Sequence, residues 1–277
     1  MLEHGTQVIV PTVVTPNHPS EPNSPTGLPH DTSVAVESLS TPQIRLLDIN
    51  PVEFVETIHN GPGVVCIQTF LPNKKGNDWE HVTGPQEALA VAERFASRGG
   101  GIYFGVLPQL RMLPKAEGKR GDEFNVAHLT CFFTEIDLKD GITHELAWET
   151  IHAMPVPPSL ITFTGGGYHL YWLLMERHAV TEENREKLKS LLKRWQRLVR
   201  KPLLQNHQLD DVAKLPGILR LPGYRNTKYG KNGPVVGVVD GWWHPERRYH
   251  LADLVQHLPA EAPPRLQYPQ SGYRPID

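Results

Sequence analysis

Residues 128–138 read HLTCFFTEIDL. The aromatic and β-branched run predicts a strand over His128 to Leu138. Strand alternation then puts Cys131, Phe133, Glu135 and Asp137 on one face and Phe132, Thr134 and Ile136 on the other. Glu135 and Asp137 therefore stand side by side, about 7 Å apart along the strand. Two carboxylates in that position repel each other unless a cation sits between them. Oxygen ligands suit hard divalent ions, so Mg²⁺ or Mn²⁺ is the natural guest. Phe132 to Asp137 also reads as a strand end with two solvated acids.

Toward the C-terminus the pattern alternates. His144 to Met154 has helical spacing. Ser159 to Thr164 (SLITFT) and Tyr168 to Met175 (YHLYWLLM) are apolar strands joined by Gly165, Gly166 and Gly167. Three glycines between two strands mark a tight hairpin. Their amides, with Thr164, are able to approach and cradle a phosphate, and His169 follows at once as a possible donor to it. The other reading is a plain hairpin whose histidine packs on Tyr171 or Trp172. Glu182 to Arg200 is a long amphipathic helix with Leu188, Leu191, Leu192, Trp195 and Leu198 inward. Its basic face either tracks a DNA backbone or is simply the solvated side. Pro234 to Val239 and Leu251 to His257 predict a late strand and a short helix. Trp242 and Trp243 suit stacking on template bases or packing.

Toward the N-terminus, Asn50-Pro51 predicts a helix start, with Val52, Val55 and Ile58 on one face. Gly63 to Leu71 (GVVCIQTFL) and Ile102 to Leu107 (IYFGVL) predict strands. Gln86 to Ser97 predicts a helix stopped by Gly99-Gly100-Gly101, and Pro108 to Phe124 a polar, basic loop. The sum is an α+β sheet with helices on one face, close to the ferredoxin-like or RRM-like plan.

The third informative stretch is QLDDVAKLPGILRLPGYRNTKYGKNG, residues 208–233. No acid occurs from Val212 to Val239, while Lys214, Arg220, Arg225, Lys228 and Lys231 all lie there. Five uncompensated cations make either a local anion site or a solvated basic loop. Asp210 and Asp211 just upstream offer a third carboxylate to join Glu135 and Asp137.

Composition sets the outer bounds. The chain has 277 residues, 21% charged and 39% hydrophobic, with a formal net charge of -2. A basic surface must therefore be local. Cys66 and Cys131 stand far apart in apolar runs with no C-x-x-C pair, which excludes the usual zinc site and fits buried thiols in a reducing cytoplasm. No run of about eighteen apolar residues is present to cross a membrane. Residues 1–42 hold seven prolines and no Lys or Arg, which predicts a disordered tail, and 259–277 predicts a second Pro-rich tail. The core is expected over 43–258.

Taken in order, the acidic strand, the glycine turn with its histidine, and the Asp-Asp before an arginine-rich turn resemble the archaeo-eukaryotic primase (AEP) superfamily. The likeness is strongest to the plasmid and phage RepB-type primases and primase-polymerases. It rests on FFTEIDLKDG, TFTGGGYHLYW and LDDVAKLPGILRLPGYRNTK, and spans Gly63 to Leu258. The resemblance implies a two-module core whose catalytic sheet is RRM-like. It implies template-directed nucleotidyl transfer on single-stranded DNA from NTP or dNTP, with two divalent metals and no zinc. Glu135, Asp137 and Asp210, with Asp211 as the alternative, match the metal-binding acids. His169 matches the histidine at the incoming phosphates. Arg220, Arg225, Asn226 and Lys228 fall in the R-L-P-G…N-x-K segment at the nucleotide site. Many relatives carry D-x-D or D-x-E where this chain has E-x-D, which touches the preferred metal. The sequence has no G-x-x-x-x-G-K-[ST] loop, so a replicative helicase would be a separate chain or part of a longer one.

Two rivals remain at this stage. A metal-dependent nuclease also clusters acids but has no use for a triphosphate site, and the His-hydrophobic-His motif of rolling-circle nucleases is absent from His169-Leu170-Tyr171. An RRM-like single-strand-binding module with vestigial acids is the other.

Overall fold

The computed structural model describes residues 44–71, 76–205 and 214–259. In chain order these form β1 (Leu46–Leu47), α1 (Pro51–His59), β2 (Val65–Phe70), β3 (Asn77–Val82), α2 (Pro85–Ser97) and β4 (Gly101–Gly105). Then follow β5 (His128–Asp137), α3 (His144–His152), β6 (Leu160–Phe163), β7 (Gly167–Ala179), α4 (Arg185–Arg200), β8 (Ile218–Arg220), β9 (Gly237–Trp243), β10 (Arg248–Tyr249) and α5 (Leu251–Val255). Helix starts follow local chemistry. The Asn50 side chain accepts from the Val52 amide at 2.9 Å ahead of Pro51, and the Thr143 side chain caps α3.

The strands divide into two sheets where periodicity alone suggested one. The larger is six-stranded, ordered β1-β9-β6-β7-β10, with β5 also paired to β7. Its spine is β7, antiparallel to β5 and β6 and parallel to the short β10. The smaller runs β3-β2-β4-β8, antiparallel throughout. Two of its strands escape a sequence reading. Asn77–Val82 (NDWEHV) lacks alternation, and Ile218–Arg220 is a three-residue strand inside the basic turn.

Both faces of the larger sheet are buried. On one, Trp195 of α4 meets Phe132 and Trp172 at ring distances of 5.6 and 5.2 Å, and Trp148 of α3 meets Tyr168 at 5.2 Å. On the other lies α1. Phe54 touches Tyr171 of the larger sheet and Phe104 of the smaller edge-on, each at 5.7 Å, so one ring joins the two sheets. Helix α4 thus lies on the face opposite Glu135 and Asp137. Trp242 and Trp243 also split between faces. Trp242 packs on Trp148 and Trp243 on Phe54, which gives both residues packing roles.

Cys66 and Cys131 are buried free thiols. Burial pushes both up to about 12, with Arg120 opposing it at Cys66. Neither supplies a thiolate near neutral pH. No helix among the described residues is long and apolar enough to cross a membrane.

Candidate active site

The acidic end of β5 owes its geometry to its register on β7. Glu135 pairs with His169 and Asp137 with Gly167, while Thr162 of β6 flanks His169 on the other side. Glu135, His169 and Thr162 therefore form a cross-strand row, with Asp137 one step nearer the hairpin. Both acids line one cleft, as the parity of the strand requires.

The smaller sheet forms the opposite wall. Its edge strand β8 lies hard against the acidic face, where a Cβ on Gly217 would meet the Phe133 ring at 2.9 Å. Arg220 and Tyr103 are register partners, and the guanidinium carbon sits 4.6 Å from the Tyr103 ring centroid. This cation–π contact holds Arg220 at the cleft. Burial raises the Tyr103 hydroxyl above its ordinary range, with Arg220 opposing the rise.

The rest of the basic turn is fastened by Asn226, which is buried. Its side-chain amide donates to the Thr164 carbonyl at 2.7 Å, and its side-chain oxygen accepts from the Lys228 amide at 3.2 Å. One side chain thus ties the glycine hairpin to the short helical turn Thr227–Tyr229. The cleft lining brings together Glu135, Asp137, Thr164, Gly166, His169, Arg220, Asn226 and Lys228, with Tyr103, Ile218, Leu219 and Tyr229.

Three expected residues lie elsewhere. Arg225 donates to the Gly233 carbonyl at 3.0 Å and does not line the cleft. Gly165 and Gly167 are also absent from the lining, and packing accounts for them. Gly165 has φ +81, and Gly165-Gly166 form the two-residue loop with the sign pattern of a II′ turn. A Cβ on Gly167 would meet the Ile136 carbonyl oxygen at 2.4 Å, so glycine is what allows β5 and β7 to approach there. Asp210 and Asp211 fall outside the described residues. Among the described residues no three His, Cys, Asp or Glu side chains are grouped to hold a metal.

Charge in the cleft is mixed. Lys139 bridges Asp137 at 3.2 Å, and Arg220 and Lys228 add two cations. His169 adds none. Burial, reinforced by Arg220, lowers its imidazole to about 3. Its Nε2 lies 3.9 Å from a Glu135 oxygen, beyond hydrogen-bond reach, and its buried Nδ1 has no hydrogen-bond partner. A neutral imidazole offers one N–H donor and no charge. Glu135 and Asp137 present oxygen ligands only, on one face, which fits a hard divalent cation.

Tyr103 and Tyr229 are cleft residues that motif reasoning passed over. Tyr103 was within reach, because IYFGVL is a strand and parity sets Tyr103 apart from Ile102 and Phe104. Nothing in NTKYG marks Tyr229.

No protein-family profile matches the sequence, and no curated protein matches it. Among solved structures, the chain is similar to the AEP domain of the primase-polymerase of cyanophage S-2L. The TM-score is 0.53 and the identity 18%, over 76% of this chain and 97% of that one. Primase RepB′ scores 0.47 at 13% identity, over 75% of this chain and 61% of that chain. The catalytic domain of RepB′ in complex with initiator DNA scores 0.45 at 14% identity, over 75% and 93%. The chain has the α+β fold of an archaeo-eukaryotic primase domain.

Proposed function

We propose that this chain is a primase-polymerase that joins nucleotides on a single-stranded DNA template, with its catalytic core in residues 43–258. One observation carries the reading. Two carboxylates from one sheet and two cations, Arg220 from the other sheet and Lys228 from the turn beside it, line one cleft, with a neutral histidine beside Glu135. That arrangement suits an NTP or dNTP, whose triphosphate needs both cations and a metal. It offers a nuclease nothing specific.

Glu135 and Asp137, with Asp210 or Asp211, would hold two Mg²⁺ or Mn²⁺ ions, which when bound activate a 3′-hydroxyl and stabilise the departing pyrophosphate. The side chains have separable tasks. Arg220 offers a planar fork to phosphate oxygens, pre-aimed by Tyr103. Lys228 contributes a point charge from a turn fixed by Asn226. His169 donates a neutral hydrogen bond from a buried position that excludes water. Lys139 offsets the charge of Asp137 until a metal binds.

The test supplies single-stranded DNA, labelled NTPs and dNTPs, and Mg²⁺ or Mn²⁺, with and without a primer. Product from unprimed template, lost in Asp137→Ala, is the expected result for a primase. Product only with a primer makes the enzyme a polymerase. DNA binding with no synthesis under any condition moves the assignment to a single-strand-binding module.

A further inference from the structure

One face of the smaller sheet packs on helices, and the other is covered in part, with Cys66, Gln68 and His81 buried and exposure growing toward Phe70. Val65, Ile67, Ile102 and Phe104 point toward the helices and are buried. The opposite parity carries a different set of side chains. The ladder aligns Arg220, Tyr103, Gln68 and Trp79 in a single row across β8, β4, β2 and β3. Three strand steps span about 14 Å. The row begins inside the catalytic cleft, at Arg220 and Tyr103, and ends at Trp79 on the edge strand. Phe70, in the next row, packs edge-on against Tyr103 at 5.0 Å and is 41% exposed. Beyond Trp79 a second hollow is lined by Met112, Leu113, Pro114 and Lys115, and Met112 is 44% exposed.

An exposed Phe70 and a half-buried Trp79 in line with the cleft suit an occupant that stacks on rings. Acids near this edge are already countered. Asp78 is bridged by Arg98 at 2.9 Å and Lys115 at 2.8 Å, and Glu80 by Arg94 at 2.5 Å. A phosphate backbone thus meets no unbalanced carboxylate there, since Arg94, Arg98 and Lys115 stand against Asp78 and Glu80, and it finds Arg220 at the other end of the row. Rings on an antiparallel sheet, with cations at the margins, are the elements of a single-strand stacking platform.

We infer that the accessible margin of this face, at Phe70, Tyr103 and Trp79, is a stacking track for the single-stranded DNA template as it leaves the catalytic cleft, with bases resting on Phe70 and Trp79. The length of the row matches about four nucleotides at a stacked rise of about 3.4 Å. Stacking is indifferent to base identity, so the track grips any sequence. The inference rests on the proposed templated synthesis for the identity of the strand, but its test does not depend on catalysis.

The full chain is titrated into fluorescein-labelled oligothymidylate, without metal or nucleotide, and binding is read by anisotropy. Trp79→Ala and Phe70→Ala are each expected to weaken binding about 5- to 150-fold. Trp79→Phe keeps a π-face and is expected to stay within about threefold of the unaltered chain. Met175→Ala, which trims an exposed apolar side chain on the larger sheet, leaves affinity unchanged. Circular dichroism and melting temperature confirm that each variant is folded. The track is overturned if both alanine variants bind like the unaltered chain, or if Trp79→Phe loses as much as Trp79→Ala. Synthesis is measured alongside. Trp79-dependent binding without synthesis keeps the track and removes the proposed activity. Normal synthesis with Trp79-independent binding does the reverse.

Discussion

The two sheets meet at one cleft but are built differently. The larger is sealed on both faces by tryptophans and helices, and it contributes the acids. The smaller is sealed by helices on one face and only in part on the other, and it contributes Arg220 and Tyr103. A pair of carboxylates needs fixed spacing to share a cation, and a strand locked between two packed layers supplies that precision. A guanidinium meeting a phosphate tolerates more play, and a three-residue edge strand steadied by one cation–π contact is sufficient for it.

The sharpest way to break this comparison is to remove one group from each side. Asp137→Ala is expected to lower synthesis by at least about 10³-fold, and Arg220→Ala by about 10²-fold. Neither should shift the melting temperature appreciably, since Asp137 is 37% exposed at its side chain. Primer-extension rates on both variants check the order. A Arg220 variant as inactive as the Asp137 variant would erase the proposed difference between the walls.

Stability should divide the same way. Phe132 is fully buried against Trp195, and Phe132→Ala is expected to cost about 3–5 kcal/mol in urea unfolding. Phe70, at the accessible margin of the smaller sheet, is expected to cost under about 1 kcal/mol when replaced by alanine. Equal losses would mean that this margin is packed in solution.

The α+β class and the likeness to a primase fold were legible in the sequence, and so was part of the cleft lining. Strand parity placed Glu135 and Asp137 together because alternation is an exact rule, and the run of cations without acids marked the turn that closes the cleft. The division into two sheets was not legible from periodicity, although the resemblance implied a two-module core. It depends on Asn77–Val82 and Ile218–Arg220, whose residues lack a strand pattern and pair only because β2 and β4 present open edges. The glycine hairpin was legible as a turn, but its three residues differ in purpose. Only the close approach of neighbouring chains separates Gly167, needed for the strand pair, from Gly166, which lines the cleft. His169 lines the cleft, while its neutrality follows from burial that local sequence does not encode.

A smaller effect concerns the joint between the sheets. His59 in α1 is buried and donates from Nε2 to the Gly105 carbonyl of β4 at 3.0 Å. Burial, the largest cause, lowers its pKa to about 4, with the carbonyl opposing. The unfolded imidazole takes up a proton near pH 6.5, whereas the folded one stays neutral to about pH 4. Its contribution is therefore fully present above pH 6.5 and is lost as pH falls toward 4, about 2 kcal/mol of it by pH 5. Urea midpoints at pH 7.5 and 5 check the slope. His59→Gln, which keeps a donor for Gly105 and does not titrate, should flatten it.

The smallest expected change separates two adjacent glycines. In Gly166→Ala the new methyl group would meet the Tyr229 hydroxyl oxygen at 1.9 Å, the tip of a side chain that is 51% exposed and able to swing aside. Stability should fall by less than about 1 kcal/mol. The displaced tyrosine and the added methyl crowd the cleft where the phosphates are proposed to enter, so the nucleotide concentration for half-maximal synthesis should rise while the maximal rate changes little. Gly167→Ala meets backbone instead, at the Ile136 carbonyl oxygen and the Asp137 Cα, and neither can move without shifting the acidic strand. It should lower the melting temperature and the maximal rate together. If Gly166→Ala also lowers the melting temperature by as much as Gly167→Ala, the hairpin tip is part of the larger sheet's rigid frame. Tyr229 would then belong to the fixed wall, and the adaptable side of the cleft would shrink to Arg220 and Lys228.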